Sequence, residues 1–289
     1  MRIGIVGIGI IGSRMAKNWQ KAGHTGKGWN RTRAHAEGSG TTLVDTPAAL
    51  ARESDLIMIV VADPPALDAV VSGPNGIAST ALKGKVVLNA STVSAQANQK
   101  AEAAVNAAGG EFLETPFTGS KAGAETAKLI FFVGGSADLL RRTEPVLLQV
   151  GAKAFHFGAV GKGADTKLAM NLMLANIMQS MAEGFAFAQK AGLDMGLFVE
   201  AFRLNAGWSG LAEMKVPKML QRDFSPHFSL KHMDKDVRLA VERARELGAT
   251  MPQTEKLKDL FTQAMRNGWE DDDFSVIYRT VAEASGLNT

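Results

Sequence analysis

The chain has 289 residues, no cysteine, 46% apolar and 21% charged residues, and a formal charge of +3. The missing cysteine excludes a disulfide scaffold, a thiol nucleophile and any cysteine-ligated zinc or iron–sulfur site. The composition supports a sizeable core and about two domains; 32 Lys+Arg against 29 Asp+Glu is too small and scattered an excess to argue for nucleic acid, though it suits a small anionic ligand.

The first predicted element is a strand over Arg2–Val6. The run that contains it, MRIGIVGIGIIG, is broken by glycines and has no small-residue cleavage site, so it does not read as a secretory leader. Gly7-Ile8-Gly9-Ile10-Ile11-Gly12 follows directly and leads into a helix expected over Met15–Ala22. The G-x-G-x-x-G pattern needs this context. Gly7 permits the tight turn, Gly9 lets the backbone approach a pyrophosphate, and Gly12 lets the helix pack close on the strand. The helix N-terminus adds free N–H groups and partial positive charge. Gly7, Gly9, Ile10, Ile11 and Gly12 are therefore cofactor-binding candidates; the competing reading is a glycine-rich turn in an unrelated α/β protein.

A second strand should end about 20 residues on, where an acidic side chain would hold the ribose 2′-OH of NAD. The chain there reads Trp29-Asn30-Arg31-Thr32-Arg33, with no acid. Arg31 and Arg33 would attract a 2′-phosphate and Thr32 could donate a hydroxyl hydrogen bond, so Asn30 to Arg33 point to NADP rather than NAD. The alternative is a solvated turn.

Further along come a helix at Pro47–Glu53, a strand at Leu56–Val61, a strand at Val86–Asn89, a helix at Ala95–Ala108 and a strand at Leu129–Val133. Alternating strands and helices predict a parallel sheet covered on both faces. Leu56–Val61 is apolar without alternation, as a central parallel strand should be. The pattern changes at the glycine-rich segment Gly158–Gly163. We expect a dinucleotide-binding domain of Rossmann type over 1–162 and an all-helical domain for substrate and oligomerisation over 163–289, an α/β fold joined through one long buried helix. That helix, Ala164–Ala191, is apolar on most sides, and its methionines, including Met170, Met173, Met178 and Met181, read as core filler. Asn171, Asn176, Gln179, Ser180 and Glu183 make it too polar for a membrane span. Helices follow at Met195–Leu204, Lys231–Leu247, Pro252–Asn267 and Phe274–Ala284. A soluble cytoplasmic protein, with no membrane and no nucleic acid partner, is the expectation.

Carbonyl chemistry beside a nicotinamide needs a proton donor. No metal is expected: the five histidines form no H-x-x-H or H-E-x-x-H, and the acidic cluster Glu270-Asp271-Asp272-Asp273 reads better as a solvated helix N-terminus than as a metal site. The only tyrosine is Tyr278, near the C-terminus, which leaves a lysine as the attractive donor. Lys167 and Asn171 stand four apart at the start of the long helix, on one face. A lysine on an apolar helix must be paired, snorkelling or facing a cleft, although a lone Lys-x-x-x-Asn is better read as a solvated helix end.

Four motifs in order carry a resemblance. The glycine turn extends through Met15-Ala16-Lys17-Asn18 to Ala22-Gly23-His24; a loop reads Pro116-Phe117-Thr118-Gly119-Ser120-Lys121; Gly163, Lys167 and Asn171 form G-x-x-x-K-x-x-x-N; and Lys235-Asp236-Val237-Arg238-Leu239-Ala240 forms K-D-x-x-L-A. Over essentially its whole length the sequence resembles the β-hydroxyacid dehydrogenase family, which includes 3-hydroxyisobutyrate dehydrogenases, and within it the glyoxylate/succinic semialdehyde reductase branch. The resemblance implies that Lys167 is the catalytic acid/base and that Asn171 helps to hold the substrate. It implies that Thr118, Gly119 and Ser120 bind the substrate carboxylate, Ser120 standing where the family has a second glycine. It places Thr92 at the nicotinamide end and Lys235 on the cofactor; Val61 and Ala62 complete the cofactor set. Phe228, Lys231 and Asp236 match positions lining the semialdehyde pocket. Trp208 is open between a cap on the substrate and a core residue.

The implied activity is NADPH-dependent reduction of a small carboxylated aldehyde or 2-oxo acid, with a homodimer or tetramer as the assembly. An ordinary lysine, with a pKa of ~10.4, is charged at neutral pH and already the acid that reduction needs. The rivals are NAD(P)-dependent oxidation of a β-hydroxyacid such as 3-hydroxyisobutyrate, which shares every motif; imine reduction, against which Lys167 argues; and a non-catalytic NADP-binding module, against which Lys167 and Asn171 together argue.

Overall fold

The apolar runs of the first half become the strands of one sheet. The structure is a computed structural model that describes residues 1–37 and 39–287, and the chain divides into two units, Met1–Lys167 and Leu168–Thr289. In the first unit the order is β1 (Arg2–Val6), α1 (Ile10–Lys21), β2 (Thr25–Trp29), β3 (Thr42–Leu43), α2 (Pro47–Glu53), β4 (Leu56–Ile59), α3 (Pro64–Ser72), β5 (Val86–Asn89), α4 (Ala95–Ala107), β6 (Glu111–Glu114), β7 (Phe117–Thr118), α5 (Ser120–Glu125), β8 (Leu129–Gly135), α6 (Ala137–Leu147) and β9 (Gly151–Gly158).

The sheet order is β3-β2-β1-β4-β5-β6-β8-β7, with β9 paired to β8. From β3 to β6 every pairing is parallel. Beyond β6 the expected all-parallel sheet fails, because β8 runs antiparallel to both β6 and β7. Between β7 and β8 only about ten residues intervene, short of the dozen or more that a parallel return takes. β4 shows why its sequence does not alternate: Leu56 and Met58 enter the core on one face of the sheet, Ile57 and Ile59 the core on the other. Each such side chain contributes about 1.5–3 kcal/mol by leaving water. β4 stops at Ile59, so Val61 and Ala62 belong to the loop that follows. Asp63 and Ser94 accept from Ala66 N–H and Ala97 N–H and so cap α3 and α4. β9 escapes sequence reading because its side chains are mostly exposed and carry no buried-strand pattern.

The remaining helices are α7 (Lys162–Lys190), α8 (Met195–Arg203), α9 (Gly210–Gln221), α10 (Leu230–Leu247), α11 (Pro252–Arg266) and α12 (Ile277–Ala284). α9 is legible only in the structure, since Pro217 lies within it and reads as a break. Phe274–Val276 is a separate 3-10 turn, not the first turn of α12. The second unit's core gathers Met178, Met181 and Phe185 of α7 with Val216, Val237, Phe261 and Ile277. α7 corrects the expectation of a helix buried on most sides. Met170, Met173, Ile177 and Phe187 are exposed, Phe187 at 74%, so only part of the methionine set fills core. Among the described residues no helix is long and apolar enough to cross a membrane.

Candidate active site

Gly7 takes a φ of +98°, and a Cβ there would stand 2.0 Å from the Val60 carbonyl oxygen. A Cβ on Gly12 would stand 2.0 Å from the Gly7 carbonyl oxygen, so β1 and α1 can meet this closely only at glycine. Gly9 faces open space, and the α1 N-terminus has no side-chain cap and no acid in its first turn. Unspent N–H groups, a positive helix end and room for backbone approach fit a dinucleotide pyrophosphate. Ile10 and Ile11 begin α1 beside this opening.

Asn30 does more than border this turn. Its Oδ1 accepts from Ile8 N–H at 3.1 Å and its Nδ2 donates to Thr32 O at 2.8 Å. One amide thereby couples the glycine turn to the arginine turn. Arg31 and Thr32 are exposed. Arg33 pairs with exposed Asp45 at 3.3 Å, a contact weak enough to be exchanged for a phosphate.

Val61, Ala62 and Thr92 sit just past β4 and β5, at the same carboxyl edge of the parallel strands as the glycine turn, where open α/β sheets bind ligands. A buried polar chain holds this edge. Ser91 Oγ accepts from Val61 N–H at 2.9 Å, Ser91 N–H donates to Asn89 Oδ1 at 3.1 Å, and Asn89 Nδ2 donates to Asn98 Oδ1 at 2.7 Å. Sequence reasoning does not single out Ser91, Asn89 and Asn98 for this role; the available signal is Asn89 and Ser91 at the end of the otherwise apolar β5, while Asn98 lies in α4.

The Thr118-Gly119-Ser120 loop joins β7 to α5. Gly119 has a φ of +128°, and Ser120, where the resembling family has glycine, takes +51°. A serine in that left-handed region costs about 1–2 kcal/mol that glycine would avoid.

Glu114 ends β6 fully buried. Its Oε1 accepts from Gly161 N–H at 2.7 Å and Gly163 N–H at 2.6 Å. Burial pushes its carboxyl up to about 7, against the opposing pull of these donors. Oε2 has no hydrogen-bond partner among the described residues.

On α7, half-buried Lys167 stands one turn before Asn171. Asn171 Nδ2 donates to Asp236 Oδ2 at 2.6 Å, and Lys235 Nζ donates to Asp236 Oδ1 at 2.6 Å. Asp236 is 1% exposed with both oxygens engaged, so it orients Asn171 and Lys235 rather than offering a surface of its own. Because an ionised carboxylate only accepts, the Asn171 amide nitrogen must face it, which turns the Asn171 carbonyl oxygen outward from Asp236.

The loop before α10 is held by Asp273, which accepts from Lys215 Nζ at 2.7 and 2.8 Å, His227 N–H at 3.0 Å and Phe228 N–H at 3.2 Å. Burial disfavours charge on Asp273, but Lys215 and Ser275 outweigh it and keep the carboxyl below the usual carboxylate range. This corrects the expectation that Glu270–Asp273 is a solvated helix N-terminus: Asp273 is buried and Asp271 pairs with Lys231. Among the described residues no cluster could hold a metal ion. Phe228 packs edge-on against Phe274, with ring centroids 6.3 Å apart. Trp208 packs on Phe202 at 5.2 Å and its Nε1 donates to Glu213 at 3.2 Å, which ties it to the helical core.

Residues 2–158 match the domain family described as the NAD binding domain of 6-phosphogluconate dehydrogenase, and residues 161–281 that described as NAD-binding of NADP-dependent 3-hydroxyisobutyrate dehydrogenase. The chain is similar to glyoxylate/succinic semialdehyde reductase 2, chloroplastic, of Arabidopsis thaliana, with 34% identity covering 98% of this chain and 80% of that protein. It is similar to glyoxylate/succinic semialdehyde reductase 1 of the same plant, with 31% identity covering 97% of this chain and 98% of the relative. Its fold is similar to that of Mycobacterium tuberculosis 3-hydroxyisobutyrate dehydrogenase solved with L-serine, with a TM-score of 0.86 and 27% identity over 97% of this chain and 98% of that one.

Proposed function

The chain belongs to the β-hydroxyacid dehydrogenase family of NAD(P)-dependent oxidoreductases, and from that premise we propose that it reduces a small carboxylate-bearing aldehyde or 2-oxo acid with NADPH. Residues 1–162 serve the cofactor; residues 163–289 serve substrate and subunit contacts. The plant reductases to which it is similar support the substrate class. The acid-free turn with Arg31 and Arg33 supports the 2′-phosphate.

When bound, the nicotinamide supplies hydride to the carbonyl carbon. Lys167 donates a proton to the carbonyl oxygen and stabilises the charge that develops there. Asn171 presents its amide oxygen as an acceptor, held in that orientation by Asp236. Thr118 and Ser120 hydroxyls and the loop's backbone N–H groups take the substrate carboxylate. Phe228 and Lys231 shape specificity, and the exposed apolar line on α7 is the seat of a homodimer or tetramer contact.

The observation that carries this reading is the Asn171–Asp236–Lys235 cluster one helical turn from Lys167. Initial rates with NADPH and NADH against glyoxylate and succinic semialdehyde, with 3-hydroxyisobutyrate in reverse, test it. Reduction with NADPH, and a Lys167→Ala variant that keeps NADPH binding while losing about 10²–10⁴-fold in turnover, are expected. Activity only on the hydroxyacid with NAD+ would refute it.

A further inference from the structure

We propose that Glu114 is a positioning residue for Lys167: its buried carboxyl oxygen Oε1 holds the first turn of α7 from 47 and 49 residues away and so sets the place of the lysine one turn later. This rests on the reading of Lys167 as the proton donor. A helix start leaves its first N–H groups without partners inside the helix. At α7, Lys162 N–H finds Ala159 O. Gly161 and Gly163 N–H find Glu114, which comes from the end of a neighbouring strand and not from the local sequence.

The seat is built for this oxygen. A Cβ on Gly134 would stand 2.1 Å from Glu114 Oε1, and a Cβ on Gly163 would stand 3.1 Å from Oε1 and 2.4 Å from the Phe132 carbonyl oxygen. The glycine of the G-x-x-x-K spacing is thus both a donor to Glu114 and a position where a side chain would push α7 off β8. An apolar residue at 114 would avoid the desolvation cost of a buried carboxyl, but it would leave these donors buried and unpaired.

Glu114→Ala and Glu114→Gln test the proposal in the full chain. Glutamine keeps one carbonyl oxygen as acceptor; alanine keeps none. Amide hydrogen exchange over 161–167, with no substrate present, should quicken in Glu114→Ala and stay near wild type in Glu114→Gln. With the aldehyde, Glu114→Ala should lose about tenfold or more in kcat while the KM and the NADPH dissociation constant move less than about twofold, and Glu114→Gln should recover most of that kcat. Unchanged exchange in a folded Glu114→Ala overturns the proposal, as does an equal fall in kcat for both variants. Should Glu114→Ala fail to fold, Glu114→Gln decides: retained protection and kcat support the clamp, and their loss overturns it. If the wild type reduces no aldehyde, the proposed reaction falls, and the exchange arm still decides the clamp.

Discussion

Glu114 should make the stability of the protein depend on pH in a way that one substitution removes. Its carboxyl stands at about 7 in the folded chain against an ordinary 4.5, with burial as the leading cause. The folded state therefore binds this proton more tightly than the unfolded state. Its stabilising contribution is fully present below the unfolded value of 4.5, declines as pH rises through the folded value of about 7, and is gone above it. A shift of that size amounts to about 3 kcal/mol at most, of which about 2.5 kcal/mol falls between pH 5 and pH 8. Glutamine has the same shape and no titration. Urea unfolding of wild type and Glu114→Gln at pH 5 and pH 8 measures the difference, and every other titrating group cancels between the two proteins. Wild type should lose about 2.5 kcal/mol more than the variant over that interval. Parallel loss in both would refute a carboxyl buried in the protonated form.

Arg31→Ala and Arg33→Ala should each weaken NADPH binding by about tenfold or more while leaving NADH nearly unchanged, because charge-assisted hydrogen bonds to a 2′-phosphate are each worth about 1.5–3 kcal/mol; cofactor titration by fluorescence checks it. Ser120→Gly should change stability by less than about 1 kcal/mol, since relief of the left-handed strain offsets added freedom in the unfolded chain, yet raise the KM for the substrate through loss of the hydroxyl. Lys215→Met should lower stability by about 3–5 kcal/mol, since it leaves Asp273 buried without its counter-charge; denaturant unfolding reads this, and a drop below about 1 kcal/mol would count against the buried pair.

The parts of the site that were legible in the sequence are local. G-x-G-x-x-G forms one local turn, the arginine turn is four consecutive residues, and Lys167 and Asn171 share a helix face through spacing alone. What was illegible joins distant residues. Asp236 engages Asn171 across 65 positions, Ser91 supports Val61 across 30, and Glu114 reaches Gly163 across 49. Asp236 stands in the K-D-x-x-L-A motif, and the structure makes it the orienting partner of two other side chains.

By itself the sequence determined the alternation of β and α elements, the parallel centre around β4, the glycine turn and the helical second half, because each follows from local periodicity or from the steric freedom of a few residues. Only the tertiary structure decided the reversal of β8, the buried role of Asp273, the open apolar line on α7 and the clamp at Glu114. These depend on which surfaces the fold covers, and a buried charge or an exposed methionine looks the same in sequence whichever way the fold turns it.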